Sequence, residues 1–316
     1  MCVKVYLKYY KPKHYSIIMV EKLKVGFIGL GIMGRSMATN IAKGGFDLSV
    51  YNRTKSKLDP FIKLGVKISN SPAEVAMNSD VTIIMVTDAP DVEEVIFGNK
   101  GWIYGAKEGK IIVDMSTNSP KHAEEFANRL SKSGIEFLDA PVTGGDIGAR
   151  QGSLTIMVGG KQGVFEKVKP VFEVMGKTII YAGPTGYGQK MKLVNQIAIG
   201  LETVAMVEAM ELAKVAGLDI NQVYQLLSTG GARSFTIESY MPRLIKGDIE
   251  PGFKASHLKK DLRYAEELAS SINVPLPGGS LALQLFTALT NMGMGEKGVH
   301  ALLKLYDALS NSNAMH

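Results

Sequence analysis

The sequence predicts an α/β fold, a doubly wound, mostly parallel sheet followed by an all-α domain, and three observations carry that prediction. A glycine-rich turn joins a β-type run to a helical pattern near residue 30. Short apolar runs then alternate with helical stretches as far as Tyr181, as parallel strands joined by crossover helices do. Beyond Gly183-Pro184-Thr185-Gly186-Tyr187-Gly188 the alternation stops and only helical patterns remain. At 316 residues the chain is long enough for two domains of ordinary size. The expected division is an N-terminal extension over 1–22, the sheet domain over 23–183 and the helical domain over 184–316.

The first element is the β-type run Val25-Gly26-Phe27-Ile28, closed by Gly29-Leu30-Gly31-Ile32-Met33-Gly34 and followed at once by a helical pattern through Met37 and Ile41. This is the G-x-G-x-x-G spacing. Gly29 allows the tight turn, Gly31 removes the side chain that would block a pyrophosphate, and Gly34 lets helix and strand pack closely. The helix N-terminus adds free N–H groups and a positive dipole end. With a second strand at Leu48 to Tyr51, the pattern predicts a Rossmann-type dinucleotide site in which Gly29, Leu30, Gly31, Ile32, Met33 and Gly34 meet the cofactor.

The second strand decides which cofactor. NAD sites usually place a carboxylate about 20 residues past the glycines, on the ribose 2′-hydroxyl. Here the strand ends in Tyr51-Asn52-Arg53-Thr54-Lys55, with no Asp or Glu between Asp47 and Asp59. An arginine fork matches a 2′-phosphate in shape and charge. The expectation is NADP(H) in preference to NAD(H), with Arg53 as the main contact and Asn52 and Thr54 supporting it. The plainer alternative is that Arg53 and Lys55 only solvate a loop.

The next elements follow in order. A helical stretch at Ser56 to Leu64 leads to a short strand at Val66 to Ile68. Ser71-Pro72-Ala73-Glu74 has the capping-box spacing with proline at the first helical position. Val81 to Val86 is continuously apolar, as a strand buried on both faces is; Met85 and Val86 at its end are counted with the cofactor contacts. Asp88-Ala89-Pro90 opens a helix, Ile111 to Val113 is a strand, and Ser119-Pro120 caps another helix. A strand at Glu136 to Leu138, a run at Leu154 to Val158, a helix from Lys161 and a strand at Thr178 to Tyr181 complete the sheet domain. The helical part reads as one long helix at Lys192 to Ala216, then Asn221 to Leu227, Leu258 to Ser270, Ser280 to about Asn291, and a last helix ending near Leu309. The 16 methionines are scattered among these helices as core filler.

Composition excludes several classes. Of the net charge of +6, residues 1–22 contribute +4, so the rest carries only +2 and offers no basic face for nucleic acid. No run approaches the ~20 apolar residues of a membrane span, so neither nucleic acid nor membrane is expected as a partner. Residues 1–18 lack the apolar core and cleavage site of a signal peptide. Met19, six residues before the first strand, is an alternative start. The single cysteine, Cys2, precludes a disulfide within the chain, and a reducing cytoplasm is the default. Five scattered histidines give no ligand spacing, so no metal site is expected.

Three further segments carry polar groups suited to chemistry. Asp139-Ala140-Pro141-Val142-Thr143-Gly144-Gly145 ends a strand in a hydroxyl and two glycines, whose N–H groups can form an anion-binding nest; an ordinary Gly-Gly turn is the even alternative. In the second, Lys192 is read as opening the long helix, with Asn195 and Gln196 on its face three and four positions on. The third is His257-Leu258-Lys259-Lys260-Asp261 after Pro251-Gly252-Phe253. Taken alone, helix lysines are usually solvated.

These segments, in this order, resemble the β-hydroxyacid dehydrogenase family, which includes 3-hydroxyisobutyrate dehydrogenase, tartronate semialdehyde reductase and glyoxylate/succinic semialdehyde reductase. The resemblance runs from about Leu23 to Tyr306. It takes in Asp114-Met115-Ser116-Thr117-Asn118-Ser119-Pro120 and the stretch from Gly231 to Phe253, nearest the tartronate semialdehyde branch. It implies that Lys192 is the catalytic lysine, Asn195 the substrate-orienting amide, and Thr143, Gly144 and Gly145 the carboxylate site. It also places Phe253 on the pocket wall, the pair Lys260 and Asp261 at the mouth of the cofactor cleft, with Lys260 counted with the cofactor contacts and Asp261 with the substrate contacts, and Thr117 on the nicotinamide side. The implied reaction is hydride transfer to a carbonyl carbon, with Lys192 stabilising and protonating the oxygen, on a small carboxylate-bearing substrate in a homodimer or homotetramer. Thr143 in place of the commoner serine, Gln196 in place of an asparagine, His257 in place of an apolar residue, and Gly298 and His300 in the C-terminal motif put substrate identity in doubt. An L-serine dehydrogenase remains open on the same scaffold, as does a non-enzymatic NADP-binding scaffold. An imine reductase is disfavoured by Lys192.

Overall fold

The computed structural model describes residues 23–310; the extension at 1–22, with Met19 and Cys2, lies outside the described residues. The first half alternates β1 (Lys24–Ile28), α1 (Gly34–Lys43), β2 (Asp47–Tyr51), α2 (Asp59–Lys63), β3 (Lys67–Ile68), α3 (Pro72–Asn78), β4 (Val81–Ile84), α4 (Ala89–Phe97), β5 (Ile111–Asp114), α5 (Pro120–Ser131) and β6 (Glu136–Asp139). It continues with β7 (Val142–Thr143), α6 (Gly145–Gln151), β8 (Leu154–Gly160), α7 (Gln162–Glu173) and β9 (Gly176–Gly183). Strands pair in the order β3-β2-β1-β4-β5-β6-β8-β7, with β9 beside β8. From β3 to β6 every pairing is parallel, whereas β8 runs antiparallel to β6 and β7.

Strand alternation sorts the core into two layers. Val81, Ile83, Ile111, Val113 and Leu138 face α1 and α7 through Met37, Ile41, Phe165 and Phe172. Ile84, Ile112 and Phe137 face α3, α4 and α5 through Val75, Val92, Ile96 and Phe126. Such a sheet is buried on both faces, which is why its strands read as unbroken apolar runs. Local caps agree with the sequence in most places. Ser71 Oγ accepts from Glu74 N at 3.2 Å, but the Glu74 carboxylate turns to Asn70 N at 2.8 Å instead of closing the capping box on Ser71.

After β9 the chain is helical: α8 (Tyr187–Val215), α9 (Ile220–Thr229), α10 (Phe235–Ile245), α11 (Ala255–Ser271), α12 (Pro277–Leu289) and α13 (Leu303–Leu309). Three details differ from expectation. The long helix starts at Tyr187, so Lys192 lies in its second turn and does not open it. By length and composition this helix could cross a membrane, contrary to the estimate that no run is long enough, yet Lys192, Gln196, Thr203 and Glu211 on it are buried against protein. Finally, α6 and α10 are helices that the sequence left unassigned; Ser234 caps α10 by accepting from Ile237 N, and Pro242 near its end disguises the pattern.

Candidate active site

In an open parallel sheet the crevice lies outside the carboxyl ends of the strands, where the order reverses. Here the reversal falls at β1, between β2 and β4. A cavity of about 560 Å³ opens there and extends to the helices of the second half. Residues just past β1, β2, β4 and β5 and at the end of β7 line it: Gly29, Arg53, Met85, Thr117 and Thr143 among them.

The three glycines of the first turn do different work. Gly29 has φ +100°, and a Cβ there would lie 2.2 Å from Met85 O. A Cβ at Gly34 would lie 1.9 Å from Gly29 O. At Gly31 a Cβ would meet nothing within 4 Å and would project into the open cavity. Gly29 and Gly34 are therefore demanded by the fold, and Gly31 leaves bare backbone where a pyrophosphate needs it. The residues present fit a dinucleotide.

Two residues counted with the cofactor contacts serve the turn itself. Leu30 is 1% exposed, with its side chain in the core. Its N–H is taken by Asn52 Oδ1 at 2.8 Å, while Asn52 Nδ2 donates to Thr54 O at 2.9 Å. Leu30 thus presents neither side chain nor N–H to the cavity, and Asn52 chiefly ties the glycine turn to the end of β2. Arg53 and Thr54 line the cavity beyond them, as do Ile32, Met33 and Val86.

At the other end sits Lys192. It is 6% exposed, lines the cavity and makes no hydrogen bond to a described residue. Burial lowers its pKa from 10.5 to about 8, against the opposing pull of Asp261; Lys260 adds to the lowering. Thr143, Gly144 and Gly145 line the same space. The Gly-Gly segment is a helix start: Gly144, at φ +122°, precedes α6, whose first residue is Gly145 at φ +63°. Asn195 is set back. Its Nδ2 lies 3.5 Å from Thr143 Oγ1 and donates to Gln196 Oε1 at 2.9 Å. Gln196, to which the sequence assigns no role, lines the cavity and donates from Nε2 to Asp261 Oδ2 at 2.6 Å.

Asp261 is 1% exposed, with Oδ1 3.3 Å from Lys260 Nζ, an ion-pair distance without hydrogen-bond alignment. Lys260 donates to Thr87 O at 2.8 Å and Thr117 O at 2.6 Å, bridging α11 to the ends of β4 and β5. One turn on, the Tyr264 hydroxyl donates to Asp88. Phe253, His257 and Tyr240 form the remaining wall.

Beneath the site lies a polar network that spacing alone could not reveal. Asp139, at the end of β6 and fully buried, accepts from Gly186 N at 2.8 Å and Gln189 N at 2.9 Å, so it caps α8 from 47 and 50 residues away. Gln189 accepts from Asn118 N and donates to Ser116 O, both at 2.9 Å. Asp114 accepts from Ser116 N and Asn118 Nδ2 at 2.9 Å. Burial raises Asp139 to about 7 and Asp114 to about 6, although these hydrogen bonds pull both downwards. At Gly188 a Cβ would lie 2.5 Å from Met157 O and 2.6 Å from Asp139 O, so the first turn of α8 rests directly on the sheet.

Residues 24–183 match the family model described as the NAD binding domain of 6-phosphogluconate dehydrogenase, and residues 186–306 match NAD-binding of NADP-dependent 3-hydroxyisobutyrate dehydrogenase. The chain belongs to the β-hydroxyacid dehydrogenase family. Like its relatives in that family it is an oxidoreductase of the CH–OH type that uses a nicotinamide cofactor. It is 41% identical over 289 residues to 2-hydroxy-3-oxopropionate reductase of Escherichia coli, which spans 92% of this chain and 99% of that one. It is 39% identical over 297 residues to the probable 3-hydroxyisobutyrate dehydrogenase-like 1 of Arabidopsis thaliana, spanning 94% and 89% of the two chains. The solved 3-hydroxyisobutyrate dehydrogenase of Salmonella typhimurium superposes with a TM-score of 0.84 at 30% identity, covering 90% of this chain and 100% of that one.

Proposed function

We propose that this protein interconverts a small 3-hydroxy acid and its semialdehyde, with NADP(H) as the preferred cofactor, as in 3-hydroxyisobutyrate dehydrogenase or 2-hydroxy-3-oxopropionate reductase. The observation that carries the reading is Lys192: a buried amine with no hydrogen-bond partner among the described residues, its pKa lowered to about 8, lining the cavity with two glycines and a hydroxyl. Gly29 to Gly34 would hold the pyrophosphate, Arg53 and Thr54 the 2′-phosphate, and Thr117 and Lys260 the nicotinamide end. Bound there, the cofactor supplies or accepts the hydride.

The chain's own residues do the rest. Thr143, Gly144 and Gly145 take the substrate carboxylate, with Asn195 fixing the Thr143 hydroxyl and reaching towards the substrate. That leaves the carbonyl oxygen for Lys192. In reduction the ammonium stabilises the developing negative charge and gives its proton to the oxygen; in oxidation the neutral amine takes it back. An amine near 8 is mostly charged at neutral pH yet releases a proton far more readily than an ordinary lysine. Asp261, held by Gln196 and Lys260, opposes the loss of that charge.

NADP(H) preference is supported by Arg53 standing in the cavity where a carboxylate would repel a 2′-phosphate. Pairing into a dimer or tetramer is supported by Leu212, Val215, Leu218 and Leu226, each more than half exposed on or beside α8 and α9; light scattering of the intact protein tests it. The reaction is tested by NADPH oxidation with glyoxylate, succinic semialdehyde, and 3-oxopropionates substituted at C2 by hydroxyl or methyl. Oxidation of L-serine with NADP is the reverse-direction control. Lys192→Ala should lose roughly 10²- to 10⁴-fold in kcat while still binding NADPH. Turnover of none of these compounds by the wild type, or near-normal turnover by Lys192→Ala, would overturn the reading and leave a nucleotide-binding scaffold.

A further inference from the structure

Thr117, assigned above to the nicotinamide end, stands in a segment that both halves of the chain fasten. In Ser116-Thr117-Asn118, just past β5, Ser116 and Asn118 are fully buried and Thr117 lines the cavity. One side chain binds the peptide groups on both sides of Thr117. Gln189 Nε2 donates to Ser116 O, and Asn118 N donates to Gln189 Oε1, both at 2.9 Å. A primary amide offers a donor and an acceptor side by side, so a single Gln can close this pair of bonds. Gln189 is itself fully buried, and its own N–H donates to Asp139 Oδ2 at 2.9 Å. The residue therefore rests on the sheet at two points, its backbone at the end of β6 and its amide just past β5.

Lys192 stands three residues further along α8, hence on the same side of the helix. It is buried too, and it lines the same cavity as Thr117. The remaining bonds to the Thr117 segment come from the sheet half. Asp114 accepts from Ser116 N and Asn118 Nδ2, and Ser116 Oγ accepts from Val86 N at 3.0 Å. Among the described residues, two side chains of the helical half hydrogen-bond this segment. Lys260 does so from α11, at Thr117 O, and Gln189 does so from the helix that carries Lys192.

We propose that Gln189 is a positioning residue: its amide fixes the span between Lys192 and Thr117. That is the span between the group that moves a proton and the side of the cavity assigned to the nicotinamide. Hydride and proton transfer need both in place together, and a displacement of about 1 Å costs roughly 10²-fold in rate. This deepens the proposed function and rests on it.

The test uses the full-length protein, NADPH and whichever of the aldehydes named above the wild type reduces fastest. Gln189→Met keeps the length of the side chain and removes both bonds. Per NADPH-binding site, kcat should fall roughly 10- to 100-fold, with KM for NADPH and for the aldehyde within about threefold of the wild type. Hydrogen exchange at Asn118 N–H in the cofactor-free protein should quicken by roughly tenfold or more as the clamp opens.

Gln189→Glu offers a carboxyl in the same place, which both accepts and donates when protonated but only accepts when ionised. Relative to the wild type at the same pH, its kcat for reduction should be nearly normal at about pH 6 and lowered by about pH 9. The charged groups around the clamp are Asp114 and Asp139 on the sheet side, Lys192 on α8 and Lys260 on α11. A negative charge at this position would by itself hold Lys192 protonated and favour reduction, so the expected loss has the opposite sign to that effect.

A merely structural role would lower Tm or the amount of NADPH-binding protein and leave kcat per binding site unchanged. Normal kcat per site in Gln189→Met, exchange at Asn118 as slow as in the wild type, or a Gln189→Glu rate ratio that does not fall between the two pH values overturns the positioning role while the oxidoreductase reading stands. Where Gln189→Met does not fold, the Gln189→Glu profile decides alone. A wild type that binds NADPH and reduces none of the aldehydes overturns that reading, and the positioning role with it.

Discussion

Adding one methyl group at Gly31 and at Gly34 should separate the needs of the ligand from those of the fold. At Gly31 the backbone is one that any L-residue adopts, and a new Cβ meets nothing within 4 Å. Gly31→Ala should therefore fold normally, and a more restricted unfolded chain should add about 0.4–1 kcal/mol of stability. The methyl would stand where a pyrophosphate approaches the backbone. Displacing one charge-assisted N–H contact costs about 1.5–3 kcal/mol, or roughly 10- to 150-fold in Kd for NADPH. At Gly34 the Cβ would lie 1.9 Å from Gly29 O and 3.1 Å from a Phe27 ring carbon, so the backbone must move. Overpacking of this kind costs about 1–3 kcal/mol, or a Tm lowered by roughly 2–12 °C. Thermal melting without cofactor and NADPH titration by fluorescence give both quantities for each variant. If Gly31→Ala binds NADPH as tightly as the wild type, the bare backbone at this turn is not the pyrophosphate site.

Three more expectations rest on single residues. Arg53→Ala should weaken NADPH by tenfold or more and NADH by less than twofold, from the loss of a charge-assisted fork; equal losses in parallel titrations would reject the assignment. With Lys192 near 8, reduction needs the ammonium and should fall as pH rises through about 8, whereas oxidation needs the amine and should rise through the same pH; profiles of kcat from pH 6 to 10 in both directions check the sign. Asp139→Ala strands the buried N–H groups of Gly186 and Gln189, at about 1–3 kcal/mol each in urea unfolding. Because the folded-state pKa of Asp139 is raised from 3.8 to about 7, its contribution is full below about pH 4 and fades as pH climbs through 7. Asp139→Asn should flatten that part of the pH dependence, and an unchanged slope would reject the burial argument.

The sheet was legible because burial on both faces writes apolar runs directly into the sequence, and the strands from Val25 to Tyr181 are separated by clear turn signals. Helix α10 was hidden by Pro242, although Ser234 ahead of Phe235 was a usable start signal. Helix α6 was hidden by the two glycines at its head, which read as loop. Around the cavity, residues were legible where a local pattern marks them, as at Gly31 or Arg53. The structure brings Lys192, Thr143, Gly144, Gly145, Phe253, Lys260 and Asp261 around one cavity, but no local pattern distinguishes a buried lysine from a solvated one. Asp139 and Gln189 were out of reach, since their partners stand about 50 to 70 residues away and exist only once the sheet and α8 have met. Leu30 and Asn52 show the converse: motif positions whose side chains brace the loop.

The docking of the first turn of α8 on the sheet has a consequence for how the cavity is divided. By chain order Lys192 belongs to the helical half, yet Asp139 and the close seat of Gly188 fasten it to the half that carries the glycine turn and Thr143. The cavity wall at Tyr240, Phe253 and His257 comes instead from α10, α11 and the segment just before α11. Lys192 and the Thr143 segment thus belong to one mechanical unit, and the Tyr240 and His257 side of the cavity to another. Substitutions on that second side leave the seat of Lys192 on the sheet untouched.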